Sequence, residues 1–349
     1  MRRVSRIAVA GVATATLTAA LAACGGTSND AADSGDGKSK GIALAYDVGG
    51  KGDQSFNDAA TAGMDKAAAE FKYGSKAVEP TDGESDADKV QRLETLAKAG
   101  YNPVIGVGYA YAPAVAEVAD KFPKTTFGIV DDETINKKNV ADMVFHEEQA
   151  SYLAGVTAAL TTKSKTVGFV GGVDIPLIHK FEAGYKQGVA DTNPKVKVVS
   201  QFLTEKAEDG GFASPDKGKT AAEGQIEDGA DVVYHAAGLS GQGVIEAASA
   251  AKVWAIGVDS DQYSQDALKA YKQYILTSAT KDVAGAVYNL AKSVQDGKPA
   301  TGVVRASLKT GGVGLADSNP EFKGNAKLQE ALKKATEGIN DGTIKVKTS

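Results

Sequence analysis

From Gly41 onward, short runs rich in aliphatic and β-branched residues alternate with stretches of helical periodicity, and that alternation leaves the chain few folds to choose from. It is the signature of βαβ units, which build parallel sheets covered by helices on both faces. Strands are predicted at Ile42 to Val48, Pro103 to Gly108 and Thr126 to Val130. A second series follows at Thr166 to Gly171, Val196 to Phe202, Asp231 to Ala236 and Val253 to Val258. The helix after the first strand places Phe56, Ala60, Gly63, Met64, Ala67 and Phe71 on one face, with Ser55 as N-cap and Asp58 three residues on. Val90, Leu93 and Ala97 form a second such face, and Gly100 ends that helix. The two series read as two similar α/β halves, the first ending near Val140 to Glu147 and the second running to Asp259. The fold class is therefore α/β, with two doubly wound lobes.

The N-terminus has a different character. Arg2, Arg3 and Arg6 precede an apolar run from Ile7 to Ala22, then Leu21-Ala22-Ala23-Cys24, the parts of an export signal with a small-residue cleavage site. Leu-Ala-Ala-Cys resembles a bacterial lipobox, in which the cysteine thiol takes a diacylglyceryl group. Cys24 is the only cysteine, so the mature domain has no disulfide and depends on its core alone. Residues 1–23 are expected to be a lipoprotein signal peptide. Residues 24–40 have almost nothing apolar to bury and are expected to be the lipidated cysteine and a flexible tether. A formal net charge of −5 with no basic stripe argues against nucleic acid as a partner. Neither Gly37-Lys38-Ser39 nor Lys217-Gly218-Lys219-Thr220 is a phosphate loop, because Ala32 and Ala213 stand where the first glycine is needed.

Two-lobed α/β proteins bind ligands beyond the carboxyl ends of their strands, so the residues after each strand matter most. After the first comes a glycine-rich turn from Tyr46 to Asp58, in which Ser55 replaces the third glycine of a dinucleotide fingerprint. Asp47 and Asp53 would repel a pyrophosphate; ionised carboxylates accept from hydroxyls, amines or base N–H groups. Asp47 at a strand end favours binding, and Asp53 is either a turn residue or a ligand contact. Periodicity alone makes Phe56 a core residue of its helix. Asp131-Asp132 at the third strand end could act as acid and base, hold a metal or open a loop, with metal the poorest fit. His146, His179 and His235 lack ligand spacing and are expected to be structural, with no metal and no cofactor.

In the second half the loops Val170 to Pro176, Ala236 to Gly243 and Ala255 to Gln262 repeat the glycine-and-carboxylate theme. The Gly238 loop offers backbone N–H groups at a helix start. Asp259 ends a strand and could accept two sugar hydroxyls, and Lys281 could donate to the same hydroxyls.

Together these segments resemble the basic membrane protein family, the purine nucleoside receptor-like solute-binding lipoproteins of ABC transporters. The resemblance rests on Asp47-Val48-Gly49-Gly50 with Asp53-Gln54-Ser55-Phe56-Asn57, Val170 to Ile178, Ala236 to Ala248, Ile256 to Gln262 and Thr277 to Val283. The tail Ile339 to Val346 matches as well, so nearly the whole mature chain is covered. It implies a type I periplasmic-binding-protein fold with three hinge crossings, one lobe from 41–148 with 281–298 and the other from 149–280 with 299–346. It also implies a binding protein, not an enzyme, that holds a nucleoside between its lobes. Phe56 and Phe212 would sandwich the base, Asp259 and Lys281 would hold the ribose with backbone help from Gly238, and Asp47, Asn57 and Asp131 would address polar edges. The implied partners are an ABC permease and, through lipid on Cys24, the extracytoplasmic face of the cell membrane, with the protein a monomer. The same fold could serve a membrane sensor or take a sugar or peptide, and a nucleoside hydrolase is the enzyme alternative. The loop Glu205 to Gly211 is longer and more acidic than the family's usual connection, and His235 stands where a small or apolar residue is expected, a possible lobe-specific contact.

Overall fold

The computed structural model describes residues 40–349 apart from Asp82. The expected signal peptide, Cys24 and nearly all of the tether lie outside the described residues. The elements run β1 (Gly41–Ala45), α1 (Phe56–Phe71), β2 (Gly74–Val78), α2 (Asp86–Lys98), β3 (Val104–Gly106), α3 (Ala112–Lys121), β4 (Phe127–Val130) and β5 (Val140–Phe145). Then come α4 (Glu147–Thr161), β6 (Thr166–Val173), α5 (Pro176–Thr192), β7 (Lys197–Thr204), α6 (Pro215–Glu227), β8 (Val232–Ala236), α7 (Gly241–Ala251), β9 (Trp254–Asp259) and β10 (Ile275–Lys281). The chain ends with α8 (Val283–Gln295), β11 (Gly302–Ala306), β12 (Val313–Leu315), α9 (Pro320–Gly324) and α10 (Ala326–Asp341).

Two six-stranded sheets result, ordered β11-β5-β4-β3-β1-β2 and β12-β10-β9-β8-β6-β7. Leaving out the outermost β11 and β12, each repeats one plan, with its second strand at the edge beside its first. Every pairing is parallel except β10 with β12. Central strands such as β1, Gly-Ile-Ala-Leu-Ala, are buried along their whole length because helices cover both faces. The chain passes between the sheets three times, after Phe145, after Lys281 and between Ala306 and Val313.

Four expectations need correction. The last crossing falls after β11 and not at residue 299, because Gly302–Ala306 pairs in register with Ala141–Phe145 of β5. The edge strand β2 escaped notice because Gly-Ser-Lys-Ala-Val is largely exposed and has no apolar run. Strand β10 was hidden by Thr277 and Ser278, polar residues that are buried because the Thr277 hydroxyl donates to Ala316 O and Ser278 Oγ accepts from Gln262 N. Finally, Ser55 makes no side-chain cap on α1. Asp53 does the capping instead: Oδ1 accepts from Ser55 N and Asp58 N, and Oδ2 from Asn57 N at 2.8 Å.

Helix α4 follows the first crossing and is buried almost all round, which requires close neighbours. Gly188 of α5 supplies one, since a Cβ there would meet Tyr152 O at 2.1 Å.

Candidate functional site

The carboxyl ends of both sheets face one narrow cavity, with about 50 Å³ of free space between its walls. All eight residues expected from the sequence line it: Asp47, Phe56, Asn57, Asp131, Phe212, Gly238, Asp259 and Lys281. Asp53 lines it too, although its oxygens are committed to the α1 cap.

Asp131 and Asp259 occupy equivalent places, just beyond β4 in one sheet and at the end of β9 in the other. Both have left-handed backbone, with φ of 68° and 61°. Non-glycine residues enter that region at a cost, and such strain concentrates at functional sites. Lys281, at the end of β10 and 4% exposed, faces both: its Nζ lies 2.6 Å from Asp131 Oδ2 and 3.7 Å from Asp259 Oδ1. Burial alone would lower the Lys281 pKa, but Asp131, Asp259 and Glu147 overcome it and raise it. Nζ also sits 4.6 Å from the centre of the Phe56 ring, a cation–π contact in a desolvated setting. Asp131 Oδ1 and Asp259 Oδ1 are buried without a hydrogen-bond partner. Buried acceptors are normally satisfied, so this wall of the cavity suits a ligand that brings donors.

The adjacent Asp132 does something different: it accepts from Thr134 N and Oγ1 at 2.8 and 2.7 Å and opens the loop. Among the described residues, no cluster of three or more His, Cys, Asp or Glu could hold a metal.

Asn57 Oδ1 accepts from Asp47 N at 3.0 Å, and its Nδ2 donates to Asp53, so it braces the β1–α1 turn as well as facing the cavity. Burial raises the Asp47 pKa to about 7, opposed by a hydrogen bond from Val48 N. Phe212 is seated by close backbone approaches. A Cβ at Gly172 would lie 2.4 Å from its ring, and one at Gly238, where φ is +52°, 3.2 Å from its carbonyl oxygen.

The acidic loop forms a short turn over Ala207–Asp209, with Lys217 Nζ donating to Asp209 O at 2.7 Å. It lies near enough to influence Tyr109, a cavity residue missed in the sequence. Burial, then Asp47 and Glu208, push the Tyr109 pKa up to about 12. Phe181 of α5 also lines the cavity.

His235 is not a cavity contact. It is fully buried, and its Nε2 lies 3.0 Å from Gln262 Oε1.

Glu147 begins α4 at the first crossing, 2% exposed, with Oε1 3.2 Å from Lys180 Nζ. Burial raises its pKa to about 7, although Lys281 opposes the shift. Because the folded pKa lies above the unfolded value, Glu147 contributes stability that is present below about pH 4 and lost as pH rises through about 7. His235, whose pKa burial lowers to about 4, acts in the opposite direction, destabilising as pH falls below its unfolded value. Comparing Glu147→Gln with the parent cancels the histidine. The variant is expected to lose less melting temperature than the parent between about pH 5 and about pH 8. Identical pH profiles by scanning calorimetry would show that Glu147 holds no proton in the folded state.

Comparisons with known proteins agree with this geometry. Residues 41–349 match the model of the Bmp family, described as "ABC transporter substrate-binding protein PnrA-like". A "CD4+ T-cell-stimulating antigen" of Listeria innocua is 36% identical over 93% of this chain and 94% of its own length. An "ABC transporter nucleoside-binding protein BmpA" of Lactococcus lactis is 34% identical over 97% of this chain and 98% of its own. An ABC transporter solute-binding protein from Aeropyrum pernix superposes with a TM-score of 0.77 at 28% identity, covering 88% of this chain and 93% of that one. The expected type I periplasmic-binding fold is thus present. On the strength of a match that spans every described strand and helix, this chain belongs to the basic membrane protein family of PnrA-like ABC transporter substrate-binding proteins.

Proposed function

We propose that this protein is an extracytoplasmic lipoprotein that closes its two lobes on a nucleoside, a purine in preference, and presents it to an ABC permease. The observation that carries the ligand class is the pairing of surfaces in one cavity. Phe56 and Phe212, attached to opposite sheets, offer aromatic faces, and every base has a π-face to stack on them. The unpartnered oxygens of Asp131 and Asp259, with Lys281 between them, suit the vicinal hydroxyls of a ribose. Aromatic walls and an acceptor-rich end match the chemistry of both halves of a nucleoside, which the narrow cavity would admit by separation of the lobes.

The role is binding without chemistry. The carboxylates at the cavity are tied to Lys281 or to backbone N–H groups, and no base is poised beside a nucleophile. Lipid on Cys24 would keep the domain near its permease, where tethering raises effective concentration. Among the described residues no helix is long and apolar enough to cross a membrane. Calorimetry with adenosine, guanosine, inosine, uridine and cytidine tests the ligand, and absence of heat from all five would overturn it. Cys24→Ser is expected to move the protein from the membrane to the soluble fraction with inosine affinity unchanged. Retention in the membrane pellet would refute the anchor.

A further inference from the structure

The turn Gly52–Ser55 keeps its backbone donors within its own lobe and offers its carbonyl oxygens to the other. Asp58 accepts from Gly52 N and Gln54 N, and Asp53 accepts from Ser55 N, so these N–H groups are satisfied by carboxylates attached to the same sheet. The carbonyl oxygens of Gly52, Gln54 and Ser55 accept from side chains attached to the other sheet, with Gly52 O and Ser55 O also accepting from Gln54 Nε2 and Ala59 N, respectively, of their own lobe. Gln242 Nε2 donates to Gly52 O at 2.9 Å, Gln262 Nε2 to Gln54 O at 3.3 Å and Ser260 Oγ to Ser55 O at 2.7 Å. All three bonds lie outside the ring of side chains that forms the cavity wall.

The middle arm is aimed from beneath. Gln262 is fully buried, and its Oε1 accepts from Val258 N at 3.1 Å and faces His235 Nε2 at 3.0 Å. With Oε1 committed to two donors, the amide can turn only its Nε2 toward Gln54. The His235 ring is also packed under the start of α7, where a Cβ on Gly241 would lie 2.0 Å from it. Gln242, the next residue, is another arm. One buried histidine thus underlies two of the three contacts.

We propose that Gln242, Ser260 and Gln262 form an inter-lobe latch that sets the lifetime of the closed state, and that His235 is its positioning residue. The latch grips main chain and none of its three side chains lines the cavity, so it stabilises closure around whatever the cavity accepts. It goes beyond the nucleoside reading and does not depend on it. Ligand encounter precedes closure, so the latch governs release more than capture. Its bonds reach the segment that leads into Phe56 and Asn57, so it ties the second sheet to the start of α1.

The test uses the full chain in a Cys24→Ser background, spin-labelled at Lys76→Cys on one sheet and Asp216→Cys beyond the other, both exposed positions. Gln262→Met fills the same buried space without a donor for Gln54 O, so the inter-lobe bond is lost. Combined with Gln242→Ala and Ser260→Ala, it is expected to shift the inter-label distances, with inosine present, toward longer values. The inosine dissociation rate should rise roughly 10- to 1,000-fold at little change in association rate, since each of the three hydrogen bonds is worth roughly a two- to tenfold factor. His235→Phe, which fills the site without an N–H, should raise the dissociation rate about fivefold without Gln262 being altered. Distance distributions and dissociation rates equal to the parent's would overturn the latch, as would a loss confined to the association rate. If the parent itself ignores inosine, the nucleoside reading fails. The latch is then judged on the ligand-free distances alone, where equal parent and variant distributions overturn it and a longer variant distance supports it.

Discussion

Replacing Lys281 by methionine is expected to cost about 3–5 kcal/mol of stability at neutral pH, because it leaves buried carboxylates facing one another without their cation. Asp131 and Asp259 approach the ammonium from different sheets at 2.6 and 3.7 Å, and Glu147 stands behind them. Methionine has nearly the length of the lysine stem, so packing against Phe56, Phe145 and Phe181 survives and the loss is electrostatic. Scanning calorimetry should show a melting temperature several degrees lower at pH 8, with inosine binding lost. The deficit should shrink in acid. Without the cation, the carboxylates that burial already raises, Asp259 to about 6 and Glu147 to about 7, move further up. Raised acids stabilise at low pH and lose that contribution as pH climbs through the folded pKa, so the variant approaches the parent near pH 5. Adding Asp131→Asn to Lys281→Met should recover part of the loss at pH 8. A variant as stable as the parent at pH 8 would mean that the cluster is solvated and that the ion pairs do little.

Much of this site was legible before any coordinates, for a physical reason. A residue at the carboxyl end of a strand in a doubly wound sheet points at the cleft whatever the details of the turn, so Asp47, Asp131 and Asp259 could be placed by position along the chain, whereas Lys281 ends a strand that the sequence did not mark. Phe56 shows the limit. Helical periodicity makes it core, and only the family motif makes it a cavity wall; the structure has it partly buried, packed on the core and lining the cavity at once. What stayed hidden depended on side-chain geometry or on edges. The α1 cap went to Asp53 and not to Ser55 because the turn brings the earlier carboxylate over three N–H groups. The left-handed backbone of Asp131 and Asp259 is only faintly marked in sequence, since aspartate enters that region more readily than most residues but rarely does so. Gln262 and His235 make sense only as a pair, and 27 positions separate them. Strand β11 has exposed Val303 and Val304 and no alternation, so nothing marked it as the last strand of the first sheet or moved the third crossing beyond it.

Removing both phenylalanines, Phe56→Ala with Phe212→Ala, is expected to weaken inosine binding by about 2–6 kcal/mol, taking about 1–3 kcal/mol for each base–aromatic stack. That is roughly 30-fold to roughly 20,000-fold in affinity. The two should not contribute equally. Phe56 also carries the Lys281 ammonium on its face at 4.6 Å, worth about 0.5–2 kcal/mol, so its loss frees the lysine as well as the base. Phe212 holds no such charge and is gripped by Gly172 and Gly238, so Phe212→Ala should read as stacking lost from a rigid seat. Conservative changes separate the aromatic face from simple bulk. Phe212→Tyr should keep affinity within about threefold, whereas Phe212→Leu, still apolar and nearly as large, should lose about tenfold. Titration calorimetry of the four variants with inosine, and with free ribose as a ligand lacking the base, makes the comparison. If leucine and tyrosine at position 212 bind inosine alike, the ring faces are not used and the sandwich is wrong. If every variant loses affinity for ribose as much as for inosine, the phenylalanines shape the cavity without touching the base.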